Sequence, residues 1–155
     1  MTIKDKILKI LKESKTPYKY MQHDPAETSE EVAKIRGTDP KIGAKALMIK
    51  AKKKYYQIVI PATLKLDSRK FRDASKLSKF RFITQEELKE LFNLEKGAVP
   101  PFGQLLDIEQ TFYDKKLLDF EEIAFNIGTR TDSIQIKSAG LIKLVDVTLL
   151  ENITE

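Results

Sequence analysis

Apolar residues at Ile3, Ile7, Leu8, Ile10 and Leu11 recur at helical spacing among lysines, which predicts an amphipathic helix over residues 2–14. Thr16-Pro17 ends that pattern, and Tyr18–Gln22 reads as a short strand. Thr28 with Glu31 forms a capping-box pattern that opens a second helix, running through Ile35 and stopping at Gly37. The pattern then changes. Ala44–Ala51 and Tyr55–Pro61 are rich in β-branched, aromatic and aliphatic residues, and Lys52–Lys54 joins them as the tip of a hairpin. Asp67 or Ser68 caps a short helix through Asp73, and Arg81–Ile83 reads as a strand. Thr84 with Glu87 repeats the capping signal ahead of Leu88, Leu91 and Phe92. Beyond the Pro-rich stretch at Gly97–Gly103, strands are expected near Thr111–Tyr113, Ile123–Asn126 and Ser133–Lys137. Ser138 is expected to cap a last helix over Leu141–Leu144.

Helices and strands are interspersed, but the hairpin and short connections argue against a purely parallel sheet. The expectation is one α+β domain over residues 1–155, with a mixed, strongly curved sheet. No repeat or low-complexity linker divides the chain.

Composition narrows the chemistry. No apolar run approaches the roughly 18–20 residues that span a bilayer. The first segment lacks the continuous apolar centre of a signal peptide, so a cytoplasmic location without membrane attachment is expected. The absence of cysteine removes disulfides, thiolate catalysis and sulfur-ligated metals together. With His23 as the single histidine, a His-rich zinc site cannot be built. The net charge is +5, yet its placement matters more. Between Lys41 and Arg81 stand 13 Lys/Arg against two acids, Asp67 and Asp73, so the rest of the chain is net acidic. Such a basic middle suits a polyanion, though a solvated lysine-rich face would have the same composition.

Three stretches carry candidate chemistry. In AKALMIK, strand alternation sets Lys45 with Leu47 and Ile49 on one face, and Ala46 with Met48 and Lys50 on the other. A lysine among apolar neighbours either meets an anionic or ester oxygen at a pocket mouth or snorkels to water. In GAVPPFG, Pro100 and Pro101 fix φ while Gly97 and Gly103 permit close approach. That loop either holds the N–H groups of Gly97 and Ala98 toward a ligand carbonyl or is an inert turn. In FNIGTR, Gly128 interrupts a strand end and presents Asn126, Thr129 and Arg130, unless it is a simple bulge.

The order of these stretches is distinctive: His23, TSEEVAKIRG, AKALMIK, a strand ending at Pro61, KLD at Lys65–Asp67, GAVPPFG and FNIGTR. Over residues 18–145 the chain resembles the YbaK-like family, which comprises the editing domain inserted in bacterial prolyl-tRNA synthetase and its free-standing relatives. The resemblance implies a curved, mixed and largely antiparallel sheet flanked by helices, and deacylation of mischarged tRNA without a metal or other cofactor. It implies aminoacyl-tRNA as partner, with a synthetase as a further one.

By the same resemblance, Lys45 meets the terminal phosphate or the aminoacyl group. Gly97 and Pro101 bound a GxxxP loop whose backbone, including Ala98, holds the substrate carbonyl. His23 has a supporting role, and Asn126 and Gly128 line the pocket with Thr129 and Arg130. Pro100 belongs to the same loop, and Met48 and Phe102 are candidates for shaping the pocket. Ala46 stands where alanine-specific members carry Asn, which argues against alanine specificity. The tRNA backbone is expected on Lys50, Lys52, Lys53 and Lys54. With no cysteine and one histidine, a protein nucleophile is not expected, and water activated by the neighbouring ribose hydroxyl is the mechanism anticipated.

Overall fold

A computed structural model describes residues 1–155. The first helix, α1 (Ile3–Glu13), is capped by Thr2, whose side chain accepts from the Asp5 N–H while Asp5 answers to the Thr2 N–H. Its Ile7 and Leu11 are fully buried. Strand β1 (Tyr18–Gln22) follows, then α2 (Ser29–Arg36), which ends on Gly37 in the left-handed region at φ 74°. Only half of the expected capping box forms here. The Thr28 hydroxyl accepts from Glu31, but the Glu31 carboxylate turns to the Glu27 N–H instead.

The hairpin forms as expected from β2 (Ala44–Ala51) and β3 (Lys54–Pro61). Its tip is a two-residue turn with Lys52 and Lys53 both at positive φ, 52° and 66°. That geometry usually takes Asn or Gly. Next come α3 (Ser68–Ser75), capped by Asp67, the two-residue β4 (Arg81–Phe82) and α4 (Gln85–Phe92). The capping box at Thr84 and Glu87 is complete in both directions. Thr84→Ala is therefore expected to cost about 1 kcal/mol, read as a lower urea midpoint at unchanged slope.

The remaining elements are β5 (Gln110–Asp114), β6 (Glu122–Asn126), β7 (Asp132–Lys137), α5 (Ser138–Ile142) and β8 (Thr148–Leu150). Helix α5 begins earlier than expected. Ser138 is its first residue rather than its cap, and its hydroxyl donates to the Phe120 carbonyl.

Hydrogen bonding divides the strands into an antiparallel sheet of order β1-β7-β6 and a mixed sheet of order β4-β2-β3-β5-β8. The parallel pairs are β3 with β5 and β5 with β8. One parallel bridge, Gly43 to Ala124, links the two sheets. The fold class is the expected one, α+β with a mixed and largely antiparallel arrangement. Helix α1 closes the larger core, where Ile7 and Leu11 meet Val59, Tyr113, Phe125 and Ile134. A second core under α3 gathers Ile49, Ile58, Phe71 and Phe112.

A truncated pairing creates the site. Strand β4 pairs only with Ile49 and Lys50, and the Ile83 N–H reaches the Met48 carbonyl. On that side, the first half of β2, Ala44 to Leu47, has no strand beside it. A cleft opens along this bare edge.

Candidate active site

The cleft has a volume of about 960 Å³. Its floor is Gly43–Leu47, one wall is α2 with the residues before it, and the other is α4 with Leu94–Gly97 and Val99. Asn126 and Arg130 close one end. A smaller chamber of about 320 Å³ adjoins it at Ala46 and Gly97, lined by Met48, Phe82, Ile83 and Leu88.

Lys45 is half-buried on the floor. Burial holds its ammonium below the usual lysine range, and the neighbouring Lys65 adds to the effect. None of the ion pairs in the protein involves it. The strand alternation is as read from the sequence, since Leu47 and Ile49 on the same face pack toward the second core. A partly desolvated cation without a counter-ion in an open cleft favours an anionic or strongly polar ligand oxygen.

The turn beside it is fixed from all sides. The Gly97 carbonyl accepts from Asn126 Nδ2, and the Ala98 carbonyl from the Gly128 N–H at 2.9 Å. Gln57, fully buried in β3, donates to the Pro100 carbonyl at 2.9 Å, and the Tyr113 hydroxyl donates to the Pro101 carbonyl. The Ala98 N–H donates to the Glu95 carbonyl at 3.0 Å, and Ala98 itself is buried. It therefore cannot serve a ligand carbonyl as expected. The N–H groups of Gly97 and Val99 find no acceptor in the protein, as do those of the neighbouring Glu95 and Lys96, and all four residues line the cleft. Gly97 sits at φ 88°, where a side chain would be strained.

The remaining expected residues separate into lining and supporting ones. Asn126, Arg130 and Ala46 line the cleft, and Met48 lines the side chamber. Arg130 pairs with Glu27 at 2.9 Å and donates to the Ala26 carbonyl, tying the chain before α2 to the turn after β6. Pro100, Pro101, Phe102, Gly128, Thr129 and His23 do not reach the cleft surface. Phe102 is wholly buried against Phe125, their ring centroids 6.0 Å apart, so it is core rather than pocket wall. Thr129 donates to the buried Asp132 at 2.6 Å. The His23 Nδ1 faces the Asp24 carbonyl, which only accepts, and so carries a proton. Its Nε2 lies 2.6 Å from Ser133 Oγ. Sequence reasoning missed Arg36, Gln57, Val99, Tyr113 and Ser133, all of which build this region.

The basic strip leads away from the cleft. Lys50 lies over the Tyr55 ring, and Lys54 pairs with Glu109 at 3.4 Å, whereas Lys52 and Lys53 are exposed at the tip. Seven residues of extended chain set Lys52 about 23 Å from Lys45. No group of three His, Cys, Asp or Glu residues could hold a metal ion, and no helix is long and apolar enough to cross a membrane.

Fold and cleft together define an α+β protein whose open cleft is lined by an unpaired lysine and by a turn with unpaired backbone N–H groups. A family model described as an aminoacyl-tRNA editing domain matches residues 23–144, and the chain belongs to that family. It is 28% identical over 150 residues to the prolyl-tRNA editing protein ProX of Acetoanaerobium sticklandii, covering 94% of this chain and 92% of that protein. It is 26% identical over 151 residues to the multifunctional Ser/Thr-tRNA deacylase ProXp-y of Escherichia coli, covering 94% and 89%. A crystal structure described as a candidate trans-editing enzyme for prolyl-tRNA synthetase superposes with a TM-score of 0.78 at 20% identity, covering 100% and 98%. The last likeness establishes the fold.

Proposed function

We propose that this aminoacyl-tRNA editing enzyme works in trans as a deacylase, with Lys45 holding the 3′ end and the Gly97 turn polarising the ester carbonyl. The observation that carries the assignment is that the unpaired Lys45 lines the same cleft as Gly97 and Val99, whose N–H groups have no acceptor in the protein. The terminal phosphodiester or the ester oxygen supplies what the lysine lacks. Two preorganised N–H donors supply what a developing oxyanion needs.

Water attacks the carbonyl carbon, the tetrahedral oxyanion collapses, and the acyl–ribose C–O bond breaks. The proton lost by water ends on the departing ribose oxygen. No protein base is well placed to take it. The carboxylates on the cleft, Glu27, Glu30 and Glu95, are exposed on its rim, and Glu27 already pairs with Arg130. His23 is turned to Ser133. The vicinal ribose hydroxyl is the group left to orient the water, making the hydrolysis substrate-assisted.

Substrate selection rests on Ala46 and Met48, at the mouth and wall of the side chamber. A pocket of this kind separates neighbours differing by one methylene by only about 1–3 kcal/mol, so several small amino acids are expected to be accepted. The basic strip from Lys50 to Lys54 takes the acceptor stem. Deacylation rates measured between 50 and 200 mM salt should therefore fall steeply under subsaturating tRNA. A rate indifferent to salt would strip the lysine cluster of this role. The same strip leaves the acidic remainder of the surface free for a synthetase.

A further inference from the structure

Arg36, the last residue of α2, reaches into the cleft and forks across two acceptors. Its Nε donates to Ser133 Oγ and its Nη2 to Asn126 Oδ1, both at 2.9 Å. No carboxylate pairs with it. Burial lowers its pKa to about 10. A partly buried cation without a counter-charge carries a desolvation cost that a neutral residue would not. Something other than stability accounts for an arginine there.

We propose that Arg36 is a positioning residue for the hydrolytic step, fixing the Asn126 amide and, through it, the Gly97 turn. This rests on the deacylase reading of the cleft. An amide has one accepting and one donating end. With the guanidinium on Oδ1, the Nδ2 end must face the Gly97 carbonyl, because the flipped amide would set N–H against N–H. Ser133 reinforces this, lying 2.7 Å from the same Oδ1. Its hydroxyl has one proton to give, to Asn126 or to His23, and the Arg36 Nε occupies one of its lone pairs. The chain of contact thus runs from Arg36 through Asn126 to the residue whose N–H is free for the substrate. Misplacing a reacting group by about 1 Å can cost about 10²-fold in rate.

Lysine keeps the charge but is a point donor, unable to span Ser133 and Asn126 in a planar fork. Arg36→Lys and Arg36→Gln therefore separate geometry from charge. Both variants are expected to fold, with thermal midpoints at or above that of the unmodified protein. Both should lose roughly 10–100-fold in kcat on a mischarged tRNA, within the range a lost positioning contact allows, while KM stays within about threefold. Amide hydrogen exchange at Gly128, whose N–H holds the Ala98 carbonyl, should quicken in both without substrate present. Full kcat in Arg36→Lys would overturn the proposal in favour of charge alone. A rise in KM at constant kcat would overturn it in favour of ligand binding, and unchanged exchange would overturn the proposed chain of contact. Unmodified protein that hydrolyses no mischarged tRNA would instead overturn the deacylase reading, and with it the hydrolytic role, whatever the exchange data show about the turn.

Discussion

Replacing Lys45 with alanine is expected to lower deacylation of a mischarged tRNA by about 10²–10³-fold, the usual loss when one preorganised stabilising donor is removed. The protein itself should not suffer. Lys45 makes no ion pair, and its half-buried ammonium is held at a desolvation cost, so its removal is expected to leave the thermal midpoint unchanged or raised. A large rate loss at undiminished stability is the signature of a residue retained for its ligand. The pH profile offers a second check. Rising pH strips the charge from Lys45, and burial brings that loss below the ordinary lysine range. The alkaline limb of kcat/KM should therefore fall below it too. Near-native turnover by Lys45→Ala would remove the lysine from the mechanism.

Phe102→Ala is expected to act in the opposite sense, costing about 3–5 kcal/mol of stability as buried aromatic truncations do. Phe102 is wholly enclosed, packs at a tilt against Phe125 and shares a core with Ile7, Leu11 and Tyr113. At this chain length each kcal/mol moves the midpoint by roughly 2–4 °C, so a drop on the order of 10 °C is expected in calorimetry. Activity should fall with it, because Phe102 directly follows the Pro100–Pro101 carbonyls that Gln57 and Tyr113 hold in place. Had Phe102 been a pocket wall, alanine would widen amino-acid selection at little cost in stability. That pattern would place it back in the site.

Much of the fold is legible because its signals are local. The Ile and Leu spacing of α1, the caps at Thr28 and Thr84, and the alternation through AKALMIK each depend on a few neighbouring residues. Strand β8 was not legible. Thr148–Leu150 has three residues and no turn signal, and becomes a strand only by pairing in parallel with β5. The site divides along the same line. Lys45 stands out as a cation on an apolar face, and Gly97 and Asn126 occur in marked motifs. Which N–H of the Pro-rich loop is free depends on the Glu95 carbonyl closing a turn onto Ala98, and no residue pattern announces that. Arg36 reads in sequence as a basic residue suiting a helix C-terminus. Its fork onto Ser133 and Asn126 joins residues some ninety positions apart. Gln57 did leave a trace, as the one amide within the apolar run YYQIVIP. Its partner, the Pro100 carbonyl, exists only in the folded chain.

The central claim is tested most directly by incubating the purified protein with Ala-, Cys-, Ser-, Thr- and Pro-tRNA on a common tRNA and measuring free amino acid released over the spontaneous rate. The deacylase account predicts catalysed release of at least one small amino acid, abolished in Lys45→Ala. Release at the spontaneous rate throughout, with the tRNA still bound, would contradict it and leave a tRNA-binding module of the same fold.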